Sequence, residues 1–417
     1  MNRRALLITI STITAGVAGC LGTSSTGNND GNSDGEWQHN LVANHLTVSH
    51  GQVYGNEAVS EDSDNANVNG GIFALDGETG DRQWSYGSSD GSPALSYTLT
   101  ENGIYVSQDD DQPKTPGSIT ALDFDGTIRW ENISGWFADA VADTAYINVP
   151  GSSHQEGSSD PHLRALNADT GEQLWTSTYG GAVEFDSESN SPLETAYVNR
   201  DTLAAVDAND GSVKWSYGNA EDSFMNPTVA NGVVYSEVNW DEALVAVSEG
   251  EKLWTVDSIH PHLVGISSDH VLAANLGAES QFPIYAFDRK TGKKRWVQKD
   301  IKPGEYGTSI IFNKNRLYIG ERGQISAISA EDGSKLWSTP LESEARVKTL
   351  DVVPESGSDQ MVFVLVEQAR TEYSLHQISA NGEEIWMQSF DEQIRDFAVG
   401  ESIIVATDSG ISVLDPP

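Results

Sequence analysis

A chain of 417 residues would ordinarily hold two or three domains, but internal repetition replaces that expectation with one repeating body. Its 62 acidic and 24 basic residues give a formal net charge of −38, spread along the chain, which implies a solvated folded surface rather than an acidic tail and suits a halophilic source, where charge maintains solubility and salt screens self-repulsion. No basic stripe stands out to neutralise phosphates, which argues against nucleic acid as a partner, and a single cysteine, Cys20, excludes an internal disulfide or a cysteine-rich metal site.

The N-terminus reads as an address. Arg3-Arg4 precede an apolar run from Ala5 to Ala18, which leads into Val17-Ala18-Gly19-Cys20. This is a charged region, a short apolar region and small residues before a cleavage point, the order of a secretory signal. The run is too short to span a bilayer comfortably. The small tripeptide ending in Cys20 resembles a lipobox, whose cysteine is lipidated and becomes the new N-terminus. The paired arginines resemble a twin-arginine export signal. Residues 1–19 are therefore expected to be a signal peptide and residues 20–35 a lipidated cysteine with a tether. That tether is Gly, Ser, Thr, Asn and Asp with almost nothing apolar to bury. Residues 36–417 form the folded domain.

That domain repeats one pattern. It begins as Ile72-Phe73-Ala74-Leu75-Asp76, Thr79-Gly80 and Trp84, and returns as Ala121-Leu122-Asp123, Gly126 and Trp130. The fullest copy is Ala165-Leu166-Asn167-Ala168-Asp169-Thr170-Gly171 with Trp175, followed by Ala205-Val206-Asp207, Gly211 and Trp215. A shortened copy holds Ala246, Gly250 and Trp254. Then come Ala286-Phe287-Asp288, Gly292 and Trp296, Ala327-Ile328-Ser329, Gly333 and Trp337, and Gln377-Ile378-Ser379, Gly382 and Trp386. In all eight complete copies the glycine precedes the tryptophan by four positions. The physics is that of a hairpin: a strand ends in Asp, Asn or Ser, glycine supplies a positive φ, and the next strand sets the tryptophan at a fixed height.

An upstream pair of strands belongs to each unit, clearest at Val229-Ala230-Asn231-Gly232-Val233-Val234-Tyr235, a strand, an Asn-Gly turn and a second strand. Four strands in about 40–49 residues indicate a β-propeller blade. The last unit, ending in Val413-Leu414-Asp415, lacks its tryptophan strand, and Trp37-Gln38-His39-Asn40 stands alone before the first. A propeller closes by letting the N-terminal strand complete the final blade, which removes free edges. Trp37 is then the missing tryptophan and the fold is an all-β propeller of nine blades, with eight as the alternative. A ring of Trp residues at one level is expected to be structural.

The Ala-x-Asp-x-x-Thr-Gly-x-x-x-Trp pattern with its preceding hairpin resembles the pyrroloquinoline-quinone-type propeller repeat, over residues 36–417. The resemblance implies a fold shared by quinoprotein alcohol dehydrogenases and by the propeller lipoprotein of the outer-membrane β-barrel assembly machinery, both usually eight-bladed. In the dehydrogenases it implies a quinone in the central channel, held against a tryptophan and a disulfide of adjacent cysteines, with Ca²⁺ and an Asp. This chain has no second cysteine for that disulfide. The expectation is therefore a non-catalytic, lipid-anchored binding or scaffolding module at the cell surface with a protein partner and no cofactor. A quinone-dependent redox enzyme is the alternative.

Three successive units carry long insertions, Glu57 to Gly70, Gln108 to Gly117 and Gly151 to Pro161, expected on one sector of the face opposite the Gly-Trp turns. Long loops on a rigid scaffold are favoured places for binding. Asp62, Asp64, Asp109, Asp110, Asp111 and His154 lie in them and are the candidate binding-face residues. Their spacing matches no calcium loop. His260-Pro261-His262 reads as a solvated loop pair, and Asn132-Ile133-Ser134 is an N-glycosylation sequon. No Gly-x-Ser-x-Gly elbow and no Walker-type phosphate loop occurs.

Overall fold

The computed structural model describes residues 37–59, 68–87, 95–108, 117–149, 162–186, 188–189, 193–199, 202–219, 222–239, 243–257, 260–275, 282–301, 309–342, 345–354, 360–369 and 372–414. They form nine four-stranded antiparallel sheets, the blades of a propeller. Blades 1 to 8 span residues 43–86, 95–134, 136–177, 182–217, 224–257, 261–298, 309–340 and 346–390, each a simple meander. Blade 9 takes three strands from residues 394–414 and its outermost strand, Gln38–His39, from the start of the domain. Gln38 lies opposite Ser412 and His39 opposite Ile411, so the ring closes as the sequence predicts.

The middle strands of each blade are buried on both sides, because every sheet is pressed between two neighbours. Alternation therefore gives way to apolar runs, as in Leu203-Ala204-Ala205-Val206, all buried. Tyrosines of the second strands, among them Tyr54, Tyr105, Tyr235 and Tyr318, are fully buried. Each sits about one ring away from the tryptophan of its own blade, with Tyr146 and Trp175 centroids 5.9 Å apart and Tyr235 and Trp254 5.8 Å apart. Such tilted aromatic pairs add about 0.5–1.5 kcal/mol beyond burial.

Blade 3 shows why the repeated pattern takes its shape. Ala165 pairs with Trp175, and the register shifts at the next residue, leaving Leu166 opposite Gln173. The same shift follows Ala74, Ala121, Ala205, Ala246, Ala286, Ala327 and Gln377. A bulge bends the strand and re-aims a side chain; here it leaves Leu174 51% exposed and turns Trp175 inward to 7%. The turn itself is capped by Asn167, whose Oδ1 accepts from the Thr170 backbone N at 2.9 Å and from Thr170 Oγ1 at 3.0 Å. Asp76 and Asp288 cap their turns in the same way.

Glycine and tryptophan of one unit serve two different interfaces. Trp175 of blade 3 donates from Nε1 to the Ala208 carbonyl of blade 4 at 2.9 Å and covers Gly211, which has φ +76°. The pairs Trp37–Gly80, Trp84–Gly126, Trp130–Gly171, Trp254–Gly292, Trp296–Gly333 and Trp337–Gly382 repeat this contact around the ring. Each of these tryptophans also donates to a turn carbonyl of the next blade. Trp215 meets the shortened turn Glu249-Gly250, where both residues have positive φ. A β-carbon on Gly250 would stand 3.2 Å from Trp215 Cβ and 3.8 Å from its Cγ, a looser approach than at the longer turns, and among the described residues no carbonyl accepts from the Trp215 indole. Trp386 faces blade 9, whose third and fourth strands come from distant parts of the chain and share no Gly turn. It packs instead with Phe390 against the Tyr373 and Ile394 cluster.

A second clasp sits nearer the opposite face. The side chains of Asn56 and Asn199 donate to the Leu95 and Phe224 carbonyls of the following blades, at 3.0 and 2.9 Å. At the equivalent place in blade 5, buried Glu237 accepts from the Leu263 backbone N at 2.7 Å. Two expectations need correction. Glu57 to Val59 and Val68 to Gly70 are strand rather than insertion, because the second and third strands of blade 1 extend as Gln52–Val59 and Val68–Asp76. His262 is not in a loop: it lies on Pro261–Ile266, the first strand of blade 6, with Nδ1 3.3 Å from buried Glu237.

Candidate functional site

Cys20 and the rim residues Asp62, Asp64, Asp109, Asp110, Asp111 and His154 lie outside the described residues. The structure does bring together the tryptophans and glycines of the repeat, and gives them to blade docking as described above. Asn132 of the sequon is exposed, with φ 60°, on the outermost strand of blade 2. It lies within a register shift, where Ile119 of the third strand pairs with Ile133 and Ala121 with Trp130.

The first strands line the middle of the ring, and their carboxylates fall in two places. On blades 3 and 4, burial pushes the Glu184 carboxyl up to about 7, with Asp139 adding like-charge repulsion. Asp139 is itself raised by burial, against one hydrogen bond from the Ala140 backbone N at 2.8 Å. On blades 8, 9 and 1, Asp396 accepts from the Leu46 backbone N at 2.9 Å and stands 3.4 Å from His45 Nδ1. Burial raises Asp351 nearby, and the Asp396 charge adds to the effect. These groups do not fit the quinone that the repeat resemblance implies. The chain has one cysteine, and among the described residues no three His, Cys, Asp or Glu side chains stand close enough to share a metal ion.

The most unusual surface is elsewhere. Residues 289–348 hold 13 of the 24 basic residues and 7 of the 62 acids, a balance of +6 within a chain of −38. The densest part is Arg289-Lys290-Thr291-Gly292-Lys293-Lys294-Arg295, the outer hairpin of blade 6. Two of these cations are committed. Arg289 reaches across blade 5 to Glu188 at 3.0 Å, and Arg295 pairs with Asp288 at 2.5 Å, which holds the Asp288 carboxyl well below the usual range. Lys294 lies over the Tyr285 ring, 5.8 Å from its centroid. Lys290 and Lys293 are exposed at the turn.

The same face continues on blade 7 with exposed Lys314 and Lys335. There a cleft of about 310 Å³ opens between blades 7 and 8, lined by Lys314, Asn315, Arg316, Ser329, Leu336, Gln360 and Ala380. Arg316 Nη1 and Trp337 Nε1 both donate to the Ala380 carbonyl, at 2.5 and 2.9 Å. Behind them Tyr318 Oη donates to Gln360 at 2.8 Å. The bulge that aims Trp337 inward leaves Leu336 46% exposed at the cleft. The cleft is on the face of the Gly-Trp turns. In the sequence the total charge hides this surface, although the five basic residues between Arg289 and Arg295 are legible there.

A family model described as outer membrane protein assembly factor BamB matches residues 159–279 and 280–388, more than half of the chain. Among curated relatives, an outer membrane protein assembly factor BamB from Burkholderia pseudomallei is 22% identical over 238 residues, covering 54% of this chain and 60% of the relative. A quinohemoprotein alcohol dehydrogenase from Comamonas testosteroni is 24% identical over 197 residues, covering 39% of this chain and 28% of the relative. The matches thus span less than two thirds of either relative's length. Among solved structures, BamB from Moraxella catarrhalis has a TM-score of 0.50 at 13% identity, covering 85% of this chain and 98% of that one, a likeness of fold. With the repeat pattern and this match in agreement, the chain belongs to the family described as outer membrane protein assembly factor BamB.

Proposed function

We propose that this chain is a non-catalytic propeller that binds another protein while a lipid on Cys20 holds it at the outer face of the cell membrane, residues 1–19 having been removed. The observation that carries the reading is the family match, since the relatives' name denotes an assembly factor. The lone cysteine directly after small residues and the polar stretch behind it support the anchor. The rim insertions bearing Asp62, Asp64, Asp109 to Asp111 and His154 are proposed as part of the partner-binding surface. The acid excess is proposed to be an adaptation to high salt.

Crosslinking on intact membranes followed by affinity capture tests the binding reading. A reproducible protein partner is expected, and a chain that crosslinks to nothing but itself contradicts it. Cys20→Ser should move the protein from the membrane to the soluble fraction. The dehydrogenase match favours a second reading, a quinone-dependent redox enzyme. Reconstitution with pyrroloquinoline quinone and Ca²⁺, followed by dye-linked alcohol oxidation, decides it: turnover would replace the scaffold reading.

A further inference from the structure

Charge on this molecule is partitioned. Among the nine blades, 6 and 7 are those where basic residues outnumber acids, and much of the surplus lies on the turn face beside a concave site. We propose that the cleft between blades 7 and 8, with the blade 6 hairpin beside it, binds a short acidic segment of a partner protein that carries an aliphatic side chain. This rests on the protein-binding reading above and names the surface and chemistry it would use.

The residues divide the work by type. Lys290, Lys293, Lys314 and Lys335 are exposed and would meet carboxylates at the rim. Leu336 offers a half-exposed apolar contact at the cleft. Arg316 is fixed by its hydrogen bond to Ala380, so its guanidinium is held in place before any ligand arrives. Glu331 and Asp332 also lie on this face, on the blade 7 turn. Asp332 is engaged by the Ser334 N and Oγ at 3.0 and 2.7 Å.

Electrostatics selects a short segment over an extended polyanion. The net charge of −38 repels a membrane surface or a nucleic acid, whose charges extend well past the basic sector. Fields are screened beyond about 8 Å at physiological salt, so a few carboxylates seated directly on the lysines gain the local attraction and avoid most of the global repulsion. An exposed aliphatic side chain in a concave site adds a contact that neither phosphate backbones nor lipid headgroups would use.

The test uses the full chain and a fluorescein-labelled peptide, Glu-Asp-Leu-Glu-Asp, in an anisotropy titration at low salt. Parallel arms hold the Leu→Ser peptide, a Lys-Lys-Leu-Lys-Lys peptide, phosphatidylglycerol vesicles and single-stranded DNA. Saturable binding of the acidic peptide is expected, weakening about tenfold in a Lys293→Glu/Lys314→Glu variant and several-fold in Leu336→Ser, and falling with added salt. All three changes are at exposed positions, and thermal melts confirm that the variants stay folded. Absence of binding, indifference to the charge reversals, or a preference for vesicles or DNA overturns the proposal. If the peptide fails while membrane crosslinking still captures a partner, the binding surface is elsewhere and the scaffold reading stands. If no partner is captured either, both readings fall.

Discussion

Trp175 of blade 3 closes onto Gly211 of blade 4 so tightly that a β-carbon on the glycine would stand 2.6 Å from the indole Cε3. The glycine is therefore required twice, once for its φ of +76° and once for the space it leaves. Gly232, at φ +74° in the blade 5 Asn-Gly turn, has nothing within 4 Å of the same position. Gly211→Ala should cost about 2–4 kcal/mol, backbone strain plus overpacking, and Gly232→Ala only the strain, about 1–2 kcal/mol. Urea unfolding midpoints of the two variants compare them directly. Equal losses would show that the docking contact contributes nothing.

The Trp215 interface supplies a second contrast. Trp175 has an acceptor in Ala208 at 2.9 Å, whereas Trp215 meets a two-residue turn that offers none among the described residues. Trp175→Phe leaves a carbonyl without its donor and should cost about 1–3 kcal/mol more than ring shrinkage alone. Trp215→Phe should be milder by about 1 kcal/mol or more. Melting temperatures of the two variants decide it.

Closure depends on a very short strand. Gln38–His39 adds two paired residues to blade 9, while Trp37 is 7% exposed and donates to the Gly77 carbonyl of blade 1 at 3.0 Å. Trp37→Ala should destabilise by about 3–5 kcal/mol and speed amide exchange in Ile411–Leu414 before other blades respond. Uniform exchange around the ring would mean that the clasp is not a local element.

Glu184 makes stability fall as pH rises. Its folded pKa is raised from 4.5 to about 7 by burial and by Asp139, so the folded protein keeps a proton that the unfolded chain has already released. That proton difference removes stability between pH 4.5 and about 7, and the loss is constant above. Glu184→Gln should therefore be more stable than the parent at pH 8, by up to about 3 kcal/mol, and no different at pH 4. Thermal melts at both pH values check the sign; a Gln variant that is no more stable at pH 8 contradicts the burial of the charge.

The sequence of this protein carries its ring plainly, and the reason is repetition. Each blade must solve the same problem, turning a strand on a positive-φ glycine and seating a tryptophan at one height, so the solution is written eight times and cannot be mistaken for chance. Closure was legible too, because Trp37 and the truncated last unit are complementary remnants. The bulge after each Ala left no residue signature that spacing alone could separate from a regular hairpin.

What sequence could not place are features made by neighbours that are distant in the chain. His262 belongs to the first strand of blade 6 and stands 3.3 Å from Glu237 on the preceding blade, which its local sequence does not show. Glu184 and Asp139 are 45 residues apart and become coupled because adjacent blades press their first strands together. The cleft at Leu336 exists through the meeting of a blade 7 turn with Gln360 and Ala380 of blade 8. Local backbone chemistry fixes a blade, and a repeated blade fixes a ring, so both can be read in one dimension. Burial, charge coupling and concavity arise between blades, and only the tertiary structure decides which side chains share them.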